Sequence, residues 1–353
     1  MKASRRDPAH DPQSRRLVRM GDVAREAGLS LTTVSVALSG APNSGIPAST
    51  RERVREAADR LGYVPNFTAQ SLRTKRSHTL GFITDRIATS PFAGEMIAGA
   101  QAAAWRSGYV LLIVDTGELD ALANSAARVF LARRVEGVIV ASWYHRAVDV
   151  PAALRDHGPV LANCFPKVGD YAAIVPDEVG GGYVATRRLL ERHLGPVGLI
   201  SLDPGAPAGP KRLDGYKRAL QEAGVPYDSS IVMTNPFQRH LLREAYELTN
   251  QLLDRRPDVK LLFCYNDRAA MGTYEAVKAR GLRVPEDVAV VGFDNQTIIA
   301  DELIPGLTTV QLPHYEMGER AVELALKAAE GPGAAPLANV ELAPCTLVER
   351  QSA

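Results

Sequence analysis

Residues 22–40 read DVAREAGLSLTTVSVALSG, and this stretch decides how the chain begins. Val23, Ala24 and Ala27 fall on one face of a short helix. Gly28 can end that helix in a left-handed conformation. Ser30 can cap the next one, its hydroxyl accepting a bond from an orphan amide. Val34 and Leu38 repeat at i, i+4 and are expected to face the first helix. Leu31, Thr32, Thr33, Ser35 and Val36 are left to look outward. A helix this short is marginal alone in water, so its use must come from docking. An outward set of small and hydroxylated side chains suits a major groove. An ordinary helical hairpin packing its own domain carries the same pattern.

Downstream, Ser49-Thr50-Arg51-Glu52 reads as a capping box following Pro47. It predicts a third helix with Val54, Ala57, Ala58 and Leu61 as its apolar stripe and Gly62 as its stop. Net charge over the 353 residues is only +1, but it is unevenly placed. Residues 1–76 hold 14 Lys+Arg against 7 Asp+Glu, a balance of +7 that leaves −6 for the rest. A basic head on an acidic body is what backbone-phosphate binding needs.

From Leu80 the rhythm becomes alternating strand and helix. Strands are expected at 80–84, 110–115, 135–142, 160–163 and 173–176, with helices over 95–107 and 119–134. After Asp177 the alternation restarts. Helices are expected at 180–193, 213–223, 239–255 and 268–280, and strands at 197–202, 261–265 and 288–293. This pattern means parallel sheets with helices on both faces, in two lobes split near Asp177. Ligands in such sheets bind beyond the carboxyl ends of the strands, so a cleft between the lobes is the expected site. Cys164, Cys264 and Cys345 are scattered and read as reduced core residues. Residues 1–17, poor in apolar content, read as a disordered tail. With no membrane-length apolar run and no secretory h-region, a cytoplasmic protein without membrane partners is expected.

The run from Asp22 through Gly40, then Thr50-Arg51, Val54, Leu61-Gly62-Tyr63, Pro65-Asn66, Ala69 and Leu72-Arg73, resembles the head and hinge of the lactose/galactose-repressor (LacI/GalR) family. The likeness continues through Pro91-Phe92, Arg212–Tyr216, Asn266–Gly272, Val284–Asp294 and Pro305–Val310, covering residues 18 to roughly 350. It implies a helix-turn-helix head over 18–64, a hinge over 65–77, and a two-lobed periplasmic-binding-protein-like core over 78–353 crossed three times by the chain. It implies a homodimer on a palindromic double-stranded operator, contacted by Ser30, Leu31, Thr32, Thr33, Ser35 and Val36. Asn66, Ala69 and Leu72 belong to the hinge, and Leu72 sits where a paired leucine wedges into the minor groove. Two departures stand out. Val36 replaces the usual arginine, removing a bidentate guanine contact of about 1–3 kcal/mol. Arg19 stands where a capping residue is usual, which leaves the first helix open to fraying.

The same likeness implies an effector site of Asp85, Thr89, Phe92 and Asn163 from one lobe and Arg212, Phe237, Asn266 and Asp294 from the other. Carboxylate, amide and guanidinium groups pair with vicinal sugar hydroxyls, and an aromatic ring packs on an apolar sugar face. Each has a plainer reading: Arg212 as a surface ion pair, Asp294 as a turn cap, Phe237 as core. The function implied is a ligand-controlled repressor answering to a carbohydrate, with a nucleoside, purine or phosphosugar as the alternative effector. A sugar-transport component would need a leader and no head. An enzyme could use Asp85, Asp177 or Asp294 as acids, but the sequence shows no P-loop, GxSxG, HExxH or metal-spaced histidines, and no cofactor is implied. Gly180-Gly181-Gly182 lacks the following Lys-Ser of a phosphate loop and reads as a site of close helix packing. Leu72→Ala is expected to weaken binding to a palindromic duplex with an easily kinked centre by at least about tenfold, ~1.4 kcal/mol. A gel-shift titration giving unchanged affinity would remove the wedge from the account.

Overall fold

The computed structural model describes residues 18–38, 45–64, 76–90, 93–117, 119–235, 241–330 and 339–353. Its contacts divide the chain into two compact units, residues 1–76 and 77–353. In the first, α1 (Met20–Ala27), α2 (Leu31–Leu38) and α3 (Ala48–Leu61) close over Val23, Val34, Val54 and Ala57. Gly28 takes φ 64 at the end of α1, and the Leu29 amide reaches back to the Ala24 carbonyl. That pairing satisfies carbonyls the helix leaves orphaned. The Ser30 hydroxyl then accepts the Thr33 amide at 3.1 Å, so α2 starts as the sequence indicates.

Two local expectations are corrected. The Ser49 capping box does not form: α3 begins at Ala48, with Pro47 as its N-cap and no side-chain cap. Proline's fixed φ starts the turn early and leaves Ser49 inside it. The start of α1 is held, because the Asp22 carboxylate accepts the Arg19 amide at 2.9 Å. On α2 Val34 and Ala37 are buried, and Leu38, half-buried, packs against the same core as expected.

In the second unit, β1 (Thr79–Thr84), β2 (Val110–Asp115), β3 (Gly137–Val148), β4 (Val160–Pro166), β5 (Ala173–Pro176) and β11 (Val340–Ala343) form one parallel sheet in the order β11-β5-β4-β3-β1-β2. The other sheet runs β12-β10-β9-β8-β6-β7, from β6 (Val197–Leu202), β7 (Val232–Asn235), β8 (Leu261–Cys264), β9 (Ala289–Asp294), β10 (Thr308–Gln311) and β12 (Thr346–Val348). All its pairs are parallel except β10–β12. Strands buried on both faces feed two cores per sheet. Ile139 and Ala141 of β3 enter one core while Val138 and Val140 enter the opposite one. Val290 of β9 likewise separates from Val291 and Phe293. Cys164, Cys264 and Cys345 are free and buried in these cores.

The lobes are not successive halves of the chain. α4 (Gly94–Arg106) and α5 (Asp120–Ala132) belong to the first lobe, and α6 (Glu178–Leu190), α7 (Ala208–Glu222), α8 (Leu241–Arg255) and α9 (Asp267–Ala279) to the second. The chain then returns: α11 (His314–Ala329), which follows the short α10 (Thr297–Ala300) and β10, packs along α4 in the first lobe. β11 joins the first sheet and β12 the second. The crossings therefore lie at 176–178, 311–314 and 343–346, three as the resemblance implies. The helix over 314–329 was not anticipated, because the two-block reading left no place for a return to the first lobe.

Glycine sets the closest helix approaches. A methyl on Gly182 of α6 would run into the Arg212 backbone of α7, and one on Gly181 into the Phe293 ring. The Gly180–Gly182 run is thus a packing surface. Gly182→Ala is expected to lower stability by roughly 1–3 kcal/mol through overpacking. Gly94→Ala, where an added methyl meets nothing within 4 Å, is expected to be neutral or stabilising. Denaturant melts of the two variants check the contrast.

Candidate functional site

Two surfaces carry candidate chemistry. On the head, Ser30, Leu31 and Thr32 are exposed, and Thr33, Ser35 and Val36 are half-buried. Leu31 keeps 56% of its surface open, high for a leucine on an eight-residue helix. These six residues occupy the start and outer side of α2, whose inner side is fixed by Val34 and Ala37. Asn66, Ala69 and Leu72 lie outside the described residues.

The second surface is a cavity of about 990 Å³ between the two lobes of the core, at the carboxyl ends of the parallel strands. Its first-lobe wall comes from an irregularity in β3. The β3–β4 register passes from Ala141↔Ala162 to Arg146↔Cys164, so Ser142–His145 stand opposite Asn163 alone. Asp85 holds this bulge: its carboxylate accepts the Ser142 hydroxyl at 2.7 Å and the Trp143 amide at 2.8 Å, and pairs with Arg146. Asn163, at φ 56, donates its amide to the Ser142 carbonyl at 3.1 Å. Asparagine is among the few residues that tolerate that left-handed backbone. The result aims Trp143, Tyr144 and His145 at the cavity. Asp85 itself supports the wall without lining it.

The second-lobe wall centres on Arg212. α7 begins at Ala208, five residues before the sequence expectation, which brings Arg212 into the helix and under cover at 6% exposure. Its Nε donates to Glu178 at 2.6 Å, and its Nη1 donates to the Tyr265 carbonyl at the end of β8. Its Nη2 lies 3.7 Å from Asp294, and the guanidinium stacks 3.6 Å above the Phe293 ring centroid. Arg212 is therefore no surface ion pair. Asp294 sits at φ 99 and accepts the Gln296 amide group at 3.1 Å. Asn266 caps α9, accepting the Ala269 amide at 2.8 Å, while its residue also lines the cavity.

Among the sequence-derived candidates, Asn163, Arg212, Asn266 and Asp294 meet in this one cavity. Phe92 and Phe237 lie outside the described residues, as does the side chain of Thr89. Sequence reasoning missed Trp143, His145, Glu178 and Gln296. A weak signal existed for the first two, in the run Trp143-Tyr144-His145-Arg146 directly after an apolar strand. Glu178 could have been noticed as an acid at the first crossing, one residue after Asp177, which caps α6 through the Gly180 amide at 2.8 Å.

The carboxylates divide by environment. Burial alone would raise Glu178, but Arg212 and His145 hold it down to about 2. Burial pushes Asp294 up to about 6 against the opposing pull of Arg212. Asp267 beneath it, buried and accepting Thr309 and the Gln296 amide, is raised well above the usual carboxylate range by burial and by Asp294. Buried carboxylates with diverging proton affinities in one cleft make that cleft a candidate functional site. A raised folded-state value means Asp294 costs stability as pH climbs from its unfolded value near 4 through about 6. Asp294→Asn should therefore melt higher than the parent above pH 6, and the gap should close as pH falls toward 4. Thermal melts across that range check it; a pH-independent gap would contradict the cause given.

Among the described residues no group of three or more His, Cys, Asp or Glu side chains could hold a metal, and no helix is long and apolar enough to cross a membrane. Residues 19–66 match the model of bacterial regulatory proteins of the lacI family, and residues 186–353 that of a periplasmic binding protein-like domain. The sucrose operon repressor of Escherichia coli is 31% identical over 338 residues, 94% of this chain and 98% of its own. The HTH-type transcriptional repressor PurR of Vibrio atlanticus is 30% identical over 315 residues, 87% and 90% of the two chains. A solved complex of the transcriptional regulator CelR with cellobiose is 28% identical, covers 95% of this chain and all of that one, and superposes with TM-score 0.65. With a basic helix-turn-helix head and a two-lobed α/β core matching these proteins over nearly their whole length, the chain belongs to the LacI family of bacterial transcription regulators.

Proposed function

We propose that this regulator represses transcription as a cytoplasmic homodimer on a palindromic operator, and that a carbohydrate bound in the core cleft resets its operator affinity without being turned over. The cleft's polar cluster carries this reading. Arg212, Asp294, Asn163 and Asn266 offer donors and acceptors of the kind that pair with vicinal hydroxyls, beside the indole of Trp143. Two relatives are named for sucrose control or seen with cellobiose, which points the same way. The Trp143–Tyr144 ring pair, with centroids 4.8 Å apart, favours one second reading, a purine stacked there.

Self-association is supported by exposed apolar residues at one edge of the first lobe. Val110 and Ile113 lie exposed on β2, the edge of its sheet, and Leu119, Leu122 and Val129 lie exposed at and along α5. Leu122 and Val129 are seven residues apart, on one face of that helix. A second copy covering this surface would remove both the apolar area and the open strand edge from water.

The test is selection of bound duplexes from a random pool, followed by gel-shift titration with cellobiose, sucrose, glucose and hypoxanthine. We expect a palindrome bound by a sedimenting dimer, affinity falling steeply with salt, and release by one carbohydrate. Because Val36 replaces the guanine-reading arginine, the half-site should show little preference at one position. No salt-sensitive retention on any duplex would overturn the DNA reading. Release by hypoxanthine alone would replace carbohydrate with purine.

A further inference from the structure

The helix that meets DNA, α2, carries no charged and no amide side chain over Leu31–Leu38. The pairings that identify a base by two hydrogen bonds need arginine or lysine for guanine, and asparagine or glutamine for adenine. α2 can form none of them. Its hydroxyls are partly committed to its own start: the Ser30 hydroxyl accepts the Thr33 amide at 3.1 Å and lies 2.8 Å from the Thr33 hydroxyl. What the helix does present is methyl groups. Leu31 and Thr32 are its exposed side chains, and Leu31 keeps 56% of its surface open. Among the described residues the head core closes over Val23, Val34 and Val54 without Leu31. A methyl on Gly21 of α1 would meet Leu31 Cδ1 at 3.9 Å, so glycine there leaves that flank of the leucine uncovered. Val36, half-buried one turn after Thr32, adds hydrocarbon and no side-chain donor.

An exposed leucine gains by covering apolar surface when it docks. In the major groove the base edges offer one apolar feature, the C5 methyl of thymine, among donors and acceptors. Cytosine methylated at C5 carries the same group at the same place. The Thr32 hydroxyl both donates and accepts, so it does not separate the O4 of thymine from the N4 amino group of 5-methylcytosine. We infer that the head reads pyrimidine C5 methyls: each half-site sets a thymine against Leu31 and Thr32, 5-methylcytosine can stand in for it, and operator affinity responds to the methyl itself. The exposed pair does the reading, and half-buried Val36 leaves its own base pair weakly specified. This deepens the operator reading and rests on it.

Gel-shift titration of the full chain on its selected duplex tests this. Thymines are replaced one at a time by uracil, which removes only the methyl. At each sensitive position the pair is then changed to cytosine–guanine, with and without the C5 methyl. At one or two positions per half-site uracil should weaken binding about fourfold, and about fifteenfold with both half-sites changed, the loss expected of one buried methyl each. 5-Methylcytosine should bind more tightly than cytosine there by a similar factor. The dependence on salt should stay fixed, because a methyl releases no counterion. In Leu31→Ala and in Thr32→Ser, both changes of exposed side chains, the uracil penalty should vanish at one such position and persist at the others. Thermal melts check that both variants keep a folded head. Uracil tolerated at every position outside the central step, on a duplex still tightly bound, overturns the inference and leaves the operator reading standing. A penalty unchanged in both variants overturns the assignment to Leu31 and Thr32. Retention of no duplex overturns both readings.

Discussion

Arg212 is the constraint around which the core is arranged. A guanidinium at 6% exposure has left water, and only a full set of partners makes that tolerable. The partners come from three elements: Glu178 from the start of α6, the Tyr265 carbonyl from the end of β8, Asp294 and the Phe293 ring from the end of β9. Removing Glu178, its close ion partner, would strand a buried charge, a far larger penalty than the pair contributes as stability. The network is therefore a device for fixing geometry. Lysine could not replace Arg212, since one ammonium lacks the planar fork that reaches three partners while stacking on a ring.

That geometry depends on helix approach. α6 and α7 come close enough for Glu178 to reach Arg212 because Gly182 presents only hydrogen to the Arg212 backbone and Gly215 does the same to the Val179 carbonyl. The same device recurs where Gly99 and Gly318 bring α4 against α11. In the first lobe the device is different: a buried carboxylate, Asp85, props four residues of β3 away from the regular register. One wall of the cleft is thus built by omission of side chains and the other by an irregular strand.

These differences explain what could be read from the sequence. The head was legible because its signals are local: Gly28 and Gly62 stop helices at φ 64 and 62, and Ser30 caps the next turn. The exception at Ser49 arose from competition between two start signals, where Pro47 acts first. Strands 110–115, 173–176 and 197–202 were bounded by their apolar runs. Three crossings imply a return to the first lobe, but its place at 311–314 was not legible, since no local feature says which lobe an amphipathic helix covers. In the site, Asn163, Arg212, Asn266 and Asp294 stand in strand ends or recognisable motifs. Glu178 and His145 were missed because their meaning lies in burial and in neighbours far along the chain, and no spacing rule encodes that. Asp85, a candidate by resemblance, is occupied by the bulge instead.

Glu178 also ties the cleft to its hinges. It is the first residue of α6, directly after the crossing at 176–178, and it faces both lobes: Arg212 at 2.6 Å in the second and His145 Nδ1 at 3.7 Å in the first. The second contact is longer than a hydrogen bond, so no locked donor ties the lobes at this point. A ligand that draws on Arg212 or Asp294, as proposed, would alter the field at Glu178, which sits on one of the three crossings among the described residues. In the proposed function this carboxylate is where ligand occupancy would first reach the lobe angle.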